Sequence, residues 1–317
     1  MKSSLLIATL AAGLSGFAWS AVTTTDTFGN DAFAIEFVTI GNPGNSRDTG
    51  GAGYGAVGCA YRIGKYETSR GMIDIYNSLG GGPVITLGSL SSYGGNGTNR
   101  PATGLTWNEM ARFVNWLNTS RGYAPAYKFT TNGANDMISL WTSADGPAYD
   151  AQNAVRNPNA YYFIPTADEW YKAAFYDPSM NGGTGGYWRY ATGCDTLPTR
   201  IRTGTDPGTA VYNDFAGGPA DITSAGGLSP YGTMAQSGNV EEWTESRFGT
   251  GGFVNCLVLN TGWGGDGGAI NSSRTAGYYP GYDGLFRGFR VAAVPEPTTL
   301  SLCGLGILAM WRRKRTV

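Results

Sequence analysis

Apolar positions recur at helical spacing most clearly in two stretches of the chain. In the first, Trp107, Met110, Phe113, Val114 and Leu117 repeat every three or four residues, which is one stripe of a helix. Thr106 precedes that stripe and Glu109 follows three residues on, the capping-box pattern that starts a helix. The second begins at Thr166 and Glu169, another such box, with Trp170, Ala173 and Ala174 behind it and Ile164-Pro165 leading in. Thr68 is expected to cap a further helix with Met72, Ile75 and Tyr76 on one face. Alternating stretches predict strands at Phe33–Ile40, closed by a Gly-Asn-Pro-Gly turn, and at Cys59–Tyr66. Residues 80–100 read as a Gly/Ser/Asn loop. After about residue 180 helix signals fade, and the pattern predicts short strands joined by long ordered loops.

Composition fits one loop-rich domain. The chain of 317 residues holds 50 glycines and 9 tryptophans. Removing both ends leaves about 270 residues, enough for one sizeable core, and no linker or convincing repeat divides them. Net charge is −1 and only 14% of residues are charged, so the clustered basic surface that binds nucleic acid is missing.

The ends carry addresses. Lys2, the apolar stretch from Leu5 to Leu14 and Ala18-Trp19-Ser20 form a secretory signal peptide over residues 1–20, with a mature start at Ala21. At the other end Pro295, Glu296 and Pro297 precede an apolar run from Leu300 to Trp311, closed by Arg312-Arg313-Lys314-Arg315. The run is shorter than the roughly 20 residues that span a bilayer comfortably, and its basic end would hold it on the cytoplasmic side. This order of motif, short transmembrane segment and basic cluster over residues 294–317 resembles the PEP-CTERM sorting signal. The resemblance implies export in a Gram-negative bacterium, transient inner-membrane anchoring and cutting by an exosortase. The protein would then be released or attached at the cell surface, outer envelope or extracellular matrix.

Three cysteines remain in the mature region: Cys59, Cys194 and Cys256. An oxidising compartment permits one disulfide, and sequence does not choose the pair. No two have the spacing of a zinc or redox motif. The chain has no histidine, which removes histidine general bases and Ser-His-Asp catalysis.

Five ordered segments carry a family resemblance. These are Ile63-Gly64-Lys65-Tyr66-Glu67-Thr68; Pro101 to Trp116; Phe163-Ile164-Pro165-Thr166-Ala167-Asp168-Glu169-Trp170; Ser229 to Met234 leading to Gly238-Asn239-Val240-Glu241-Glu242-Trp243; and Gly288-Phe289-Arg290-Val291-Ala292. Over residues 33–293 the chain resembles the sulfatase-modifying factor, or formylglycine-generating, domain. That resemblance implies an α+β fold of C-type lectin type. Catalysts of the family carry a Gly-Gly-Ser-aromatic turn and then two cysteines that bind copper. Laying that pattern on Trp263 puts Gly265 and Ile270 where the cysteines would stand, and Cys256 lies before the turn. Soft thiolates select Cu(I), so their loss argues against copper and against oxidase activity. The resemblance also implies a structural calcium, held by the carbonyls of Gly238 and Val240 and the carboxylate of Glu242. Ala235 stands where the family adds an oxygen ligand, and Glu242 has a second reading, as a turn cap or a partner of Arg290. The acidic loop from Asn213-Asp214 to Asp221 is a further candidate for a cation.

The remaining constellations are weighed against plain structure. Glu241, Glu242 and Glu245, or Asp168 and Glu169, invite a glycosidase reading, but adjacency in sequence does not place two carboxyls across a cleft. Glu169 is already used by its capping box. Gly264 to Gly268 lacks the lysine and helix of a phosphate loop and reads as a flexible turn. The aromatics Trp263, Tyr278, Tyr279, Tyr282 and Phe286 fall where this fold displays its ligand-facing loops, so they are candidates for docking sugar rings, with loop packing as the alternative. The expected role is binding or surface structure, with an exopolysaccharide or surface protein as partner. A divergent enzyme on the same scaffold is the competing expectation.

Overall fold

The computed structural model describes residues 22–130, 138–248 and 255–295. The expected signal peptide, Glu296, Pro297 and the apolar run after them lie outside the described residues. Among the described residues no helix is long and apolar enough to cross a membrane.

Two sheets and three helices frame the domain. The first sheet holds β1 (Thr23–Phe28), β2 (Phe33–Ile40) and β3 (Tyr61–Gly64), followed by strands Ala292–Ala293 and Tyr162–Phe163 in that order. All its pairings are antiparallel, and Ala292–Ala293, at the C-terminal end of the domain, is laid between β3 and a strand from mid-sequence. The second sheet runs Thr275–Tyr278, Asn255–Leu259, Glu241–Phe248, Arg287–Gly288. Its last pairing is parallel, with Glu242 opposite Gly288.

The helices follow their sequence signals. α2 (Trp107–Thr119) is closed by the Thr106–Glu109 box, and α3 (Ala167–Phe175) by Thr166–Glu169. In each box the threonine hydroxyl takes the amide three residues on, while the glutamate returns to the cap's own amide at 2.7 Å. Two amides that a helix start leaves unpaired are thereby satisfied. α1 (Arg70–Ser78) departs from expectation by one residue. Ser69, not Thr68, is its cap, and the buried face is Ile73 and Tyr76 while Met72 and Ile75 stay half-buried. Thr68 is used instead by the Gly288–Ala292 segment, its amide bonding to the Phe289 carbonyl at 2.8 Å. β1 was not anticipated: its Thr-Thr-Thr-Asp-Thr-Phe has too few apolar residues to show alternation, yet every residue pairs with β2.

The main core lies between α2 and the two sheets. Phe37, Trp107, Phe113, Tyr162, Trp243 and Phe289 are all buried there, and Phe113 meets Phe289 edge-on at 6.0 Å. Burial of such rings supplies most of the stabilisation, on the order of 2–3 kcal/mol for each fully buried side chain.

Candidate functional site

Two regions carry the residues singled out by sequence. The first is the junction of the Gly238–Trp243 and Gly288–Ala292 segments. Gly238 enters it at φ +110°, and a Cβ there would lie 2.2 Å from the Val211 carbonyl oxygen, so only glycine fits. Asn239 follows at φ +60° and uses all its polar groups. Its amide donates to Val211 O and its carbonyl accepts from Trp263 N; its side chain accepts from Ala220 N and donates to Glu67 Oε2 at 2.7 Å.

Glu242 and Arg290 meet at the centre of this junction, both fully buried. Arg290 Nη2 reaches Glu242 Oε1 at 2.6 Å and Nε reaches Oε2 at 2.7 Å, a bidentate pair. Trp170 Nε1 donates to Oε2 at 2.9 Å. The rest of the guanidinium donates to the carbonyls of Gly64, Lys65 and Met234. One arginine thus ties β3, the 229–234 loop and the second sheet together. Glu67 lies beside this pair, and burial, then repulsion from Glu242, pushes its carboxyl well above the ordinary range.

The calcium expectation at Gly238, Val240 and Glu242 does not fit this geometry. Both Glu242 oxygens face cationic or N–H donors, and the Gly238 carbonyl already accepts from Asn260 Nδ2 at 2.9 Å. Pairing with Arg290, the alternative for Glu242, is the arrangement found. Asp214 is beside Arg202 at 3.1 Å and Asp221 beside Arg100 at 3.4 Å, so the second acidic loop is spent on ion pairs too. Among the described residues no group of three or more acidic or cysteine side chains is gathered as a metal would need.

The glycosidase candidates are likewise engaged by internal partners, and the two that come together, Glu169 and Glu245, are buried on a shared Arg156. Glu245 contacts Arg156, Tyr127 and Asn153, while Glu241 sits 2.9 Å from Arg287. Asp168 accepts from the Gly55 amide, and Glu169 adds Arg156 to its capping role. Cys256 is buried in the strand Asn255–Leu259, and burial pushes its thiol up to about 12, far from a reactive thiolate. Cys59, Cys194 and Cys256 are all free.

The second region is the edge formed by Thr275–Tyr278 and the turn after it. Tyr279 and Tyr282 are 44% and 51% exposed, whereas Tyr278 is half-buried. The turn is closed by one internal bond and tied to α2 by another. Tyr282 N donates to Tyr279 O, and Pro280 O accepts from Trp107 N at the start of α2. Tyr278 and Tyr282 stack at 5.9 Å with planes 21° apart. Arg287 completes the group: its guanidinium lies 3.4 Å from the Tyr278 ring centre and 4.9 Å from that of Tyr282. This arginine was not singled out by sequence, although it stands directly before Gly288-Phe289-Arg290. Gly284 is its companion, since a Cβ there would meet Arg287 Nη1 at 1.7 Å.

Trp263 does not belong to this surface. It is fully buried, packed on Phe286 at 4.5 Å and Tyr93 at 5.8 Å, so its ring cannot face a ligand. The glycines after it form tight turns, with Gly265 N bonding Gly262 O and Ala269 N bonding Asp266 O.

Comparison with known proteins agrees with this architecture. A model of the sulfatase-modifying factor enzyme 1-like domain matches residues 83–294, and one of the PEP-CTERM protein-sorting motif matches residues 293–315. The structure is similar to Treponema denticola variable protein 1, with TM-score 0.61 and 19% identity over 87% of this chain and 100% of that one. It is also similar to CarF, with TM-score 0.55 and 19% identity over 83% and 99% of the two chains. PvdO from Pseudomonas aeruginosa gives 0.54 and 14% over 87% and 98%. At these identities the likeness is one of fold, the α+β C-type lectin-like fold. No curated protein sequence matches the chain.

Proposed function

The chain belongs to the family of sulfatase-modifying factor enzyme 1-like domains and ends in a PEP-CTERM sorting motif, and on that premise we propose that it is an exported binding protein without catalytic activity. The sorting motif implies exosortase-dependent export in a Gram-negative bacterium. The destination in this reading is the cell surface or its matrix, reached after transient anchoring in the inner membrane. The ligand is an exopolysaccharide or a surface protein.

One observation carries the reading. Two tyrosines stand exposed on a turn that directly follows a strand of the second sheet and is tied to the start of α2 by the Trp107–Pro280 backbone bond, next to a cation already aligned on the stacked rings of Tyr278 and Tyr282. A rigid aromatic platform costs little to order on binding. It offers apolar faces to sugar rings or to a protein hot spot, and phenol hydroxyls to polar groups. The competing oxidase reading rests on paired copper-binding cysteines, and Cys256, the one nearest that turn in sequence, is buried in a strand where burial disfavours its thiolate.

The test is binding of the exported chain to purified matrix polysaccharide and to washed cells. Saturable binding that Tyr282→Ala and Tyr279→Ala weaken supports the proposal. Binding to neither material, with intact fold, overturns it. Copper-dependent oxygen consumption with a cysteine-containing sulfatase peptide would establish the enzyme reading in its place.

A further inference from the structure

A separate groove of about 620 Å³ opens on the other sheet, between the β1–β2 hairpin, the start of α1 and the loops at 98–99 and 222–223. Its apolar wall is Phe33, Ile35, Met72 and Ile75. Three carboxylates line it, Glu36, Glu67 and Asp74, and no lysine or arginine does. Glu36 is paired at the rim with Lys65 at 2.9 Å, and Asp74 is exposed.

Glu67 is different. It is 1% exposed, and while Oε2 accepts from Asn239, Oε1 has no hydrogen-bond partner. Its charged form is also poorly supported, since burial and Glu242 disfavour it more than Arg290, Asn239 and the Val240 amide favour it. Glu67 and Glu242 are two carboxylates beside a single guanidinium, and Arg290 gives both of its short contacts to Glu242. A buried, unpaired acceptor of this kind is costly unless something supplies a donor.

The start of α1 offers no competing anion site. Met72 N is taken by the Ser69 hydroxyl, Arg70 N by Arg100 O and Gly71 N by Thr98 O. With those amides consumed, the charged groups lining the groove are all carboxylates, set among apolar carbon and the neutral side chains of Asn99, Thr25, Thr98 and Thr223.

We propose that this groove binds a small organic ammonium ion, its charged nitrogen donating to Glu67 Oε1 and its apolar body lying along Phe33, Ile35, Met72 and Ile75. Asp74 adds attraction at the mouth. The site is independent of the tyrosine platform, so either can exist without the other.

Titration calorimetry on the exported full-length chain tests it, with phenethylamine as probe and phenethyl alcohol as the uncharged match. The amine is expected to bind at least tenfold more tightly than the alcohol. Glu67→Gln, which keeps a hydrogen-bonding side chain of the same shape, is expected to cost at least tenfold in affinity. Asp74→Lys, on the exposed rim, is expected to weaken the amine by a similar factor with Tm unchanged, which guards against a folding defect in Glu67→Gln. Undetectable amine binding, equal binding of amine and alcohol, or affinities within twofold of the parent in both variants would each overturn the proposal.

Discussion

The Glu242–Arg290 junction and the Tyr278–Tyr282 edge are joined by one short stretch of chain, since Arg287 and Arg290 are three residues apart; both arginines are buried and meet a carboxylate, yet they spend the rest of the guanidinium differently. Arg290 is fully buried and spends its donors on a carboxylate and three carbonyls from separate segments. Arg287 pairs with Glu241 at 2.9 Å and lays its guanidinium against the rings of Tyr278 and Tyr282, beneath an edge where Tyr282 is exposed. The first arrangement fixes how the sheets meet; the second supports a turn whose Tyr279 and Tyr282 stay exposed. The segments that identify the family therefore mark the scaffold, and function is sought on the surface the scaffold presents.

Substitutions can break that contrast. The largest effect is expected from Arg290→Met, which strands a buried carboxylate and three carbonyls. A loss of about 3–5 kcal/mol is expected, read by denaturant unfolding. Gly238→Ala follows: its Cβ would press on the Val211 carbonyl at a positive φ, and the expected loss is about 2 kcal/mol. A destabilisation by Tyr282→Ala of that size would erase the distinction.

The buried side should also show in pH dependence. Burial, only partly offset by Arg156, raises the Glu245 carboxyl from 4.5 to about 7. The folded protein then holds a proton that the unfolded chain has released, so this contribution is full below about 4.5 and is lost as pH rises through about 7. Tm is expected to fall between these values, and Glu245→Gln to flatten the slope. The smallest stability change is expected from Tyr282→Ala, within about 0.5 kcal/mol, because its ring is half exposed.

The scaffold was legible where a residue's role is local. Both capping boxes and the α2 stripe can be read from spacing alone, because helix geometry fixes which residues meet. The family segments gave the order of the domain in the same way. What spacing does not encode is exposure and long-range pairing. Trp263 and Tyr282 are both aromatics in glycine-rich loops, and only the packing of Phe286 and Tyr93 puts the tryptophan inside. Arg287 needed the turn at 279–282 to bring two rings to it. Glu67 showed only as part of a motif, since its neighbour Asn239 comes from a segment 172 residues away.

The most direct test is a binding isotherm for matrix polysaccharide, measured with the Tyr279→Ala/Tyr282→Ala double variant beside the parent chain and with Tm recorded for both. The account predicts at least a tenfold loss of affinity at an unchanged Tm. Undiminished binding, or a Tm that falls along with the affinity, would contradict a surface platform carried on an independent scaffold.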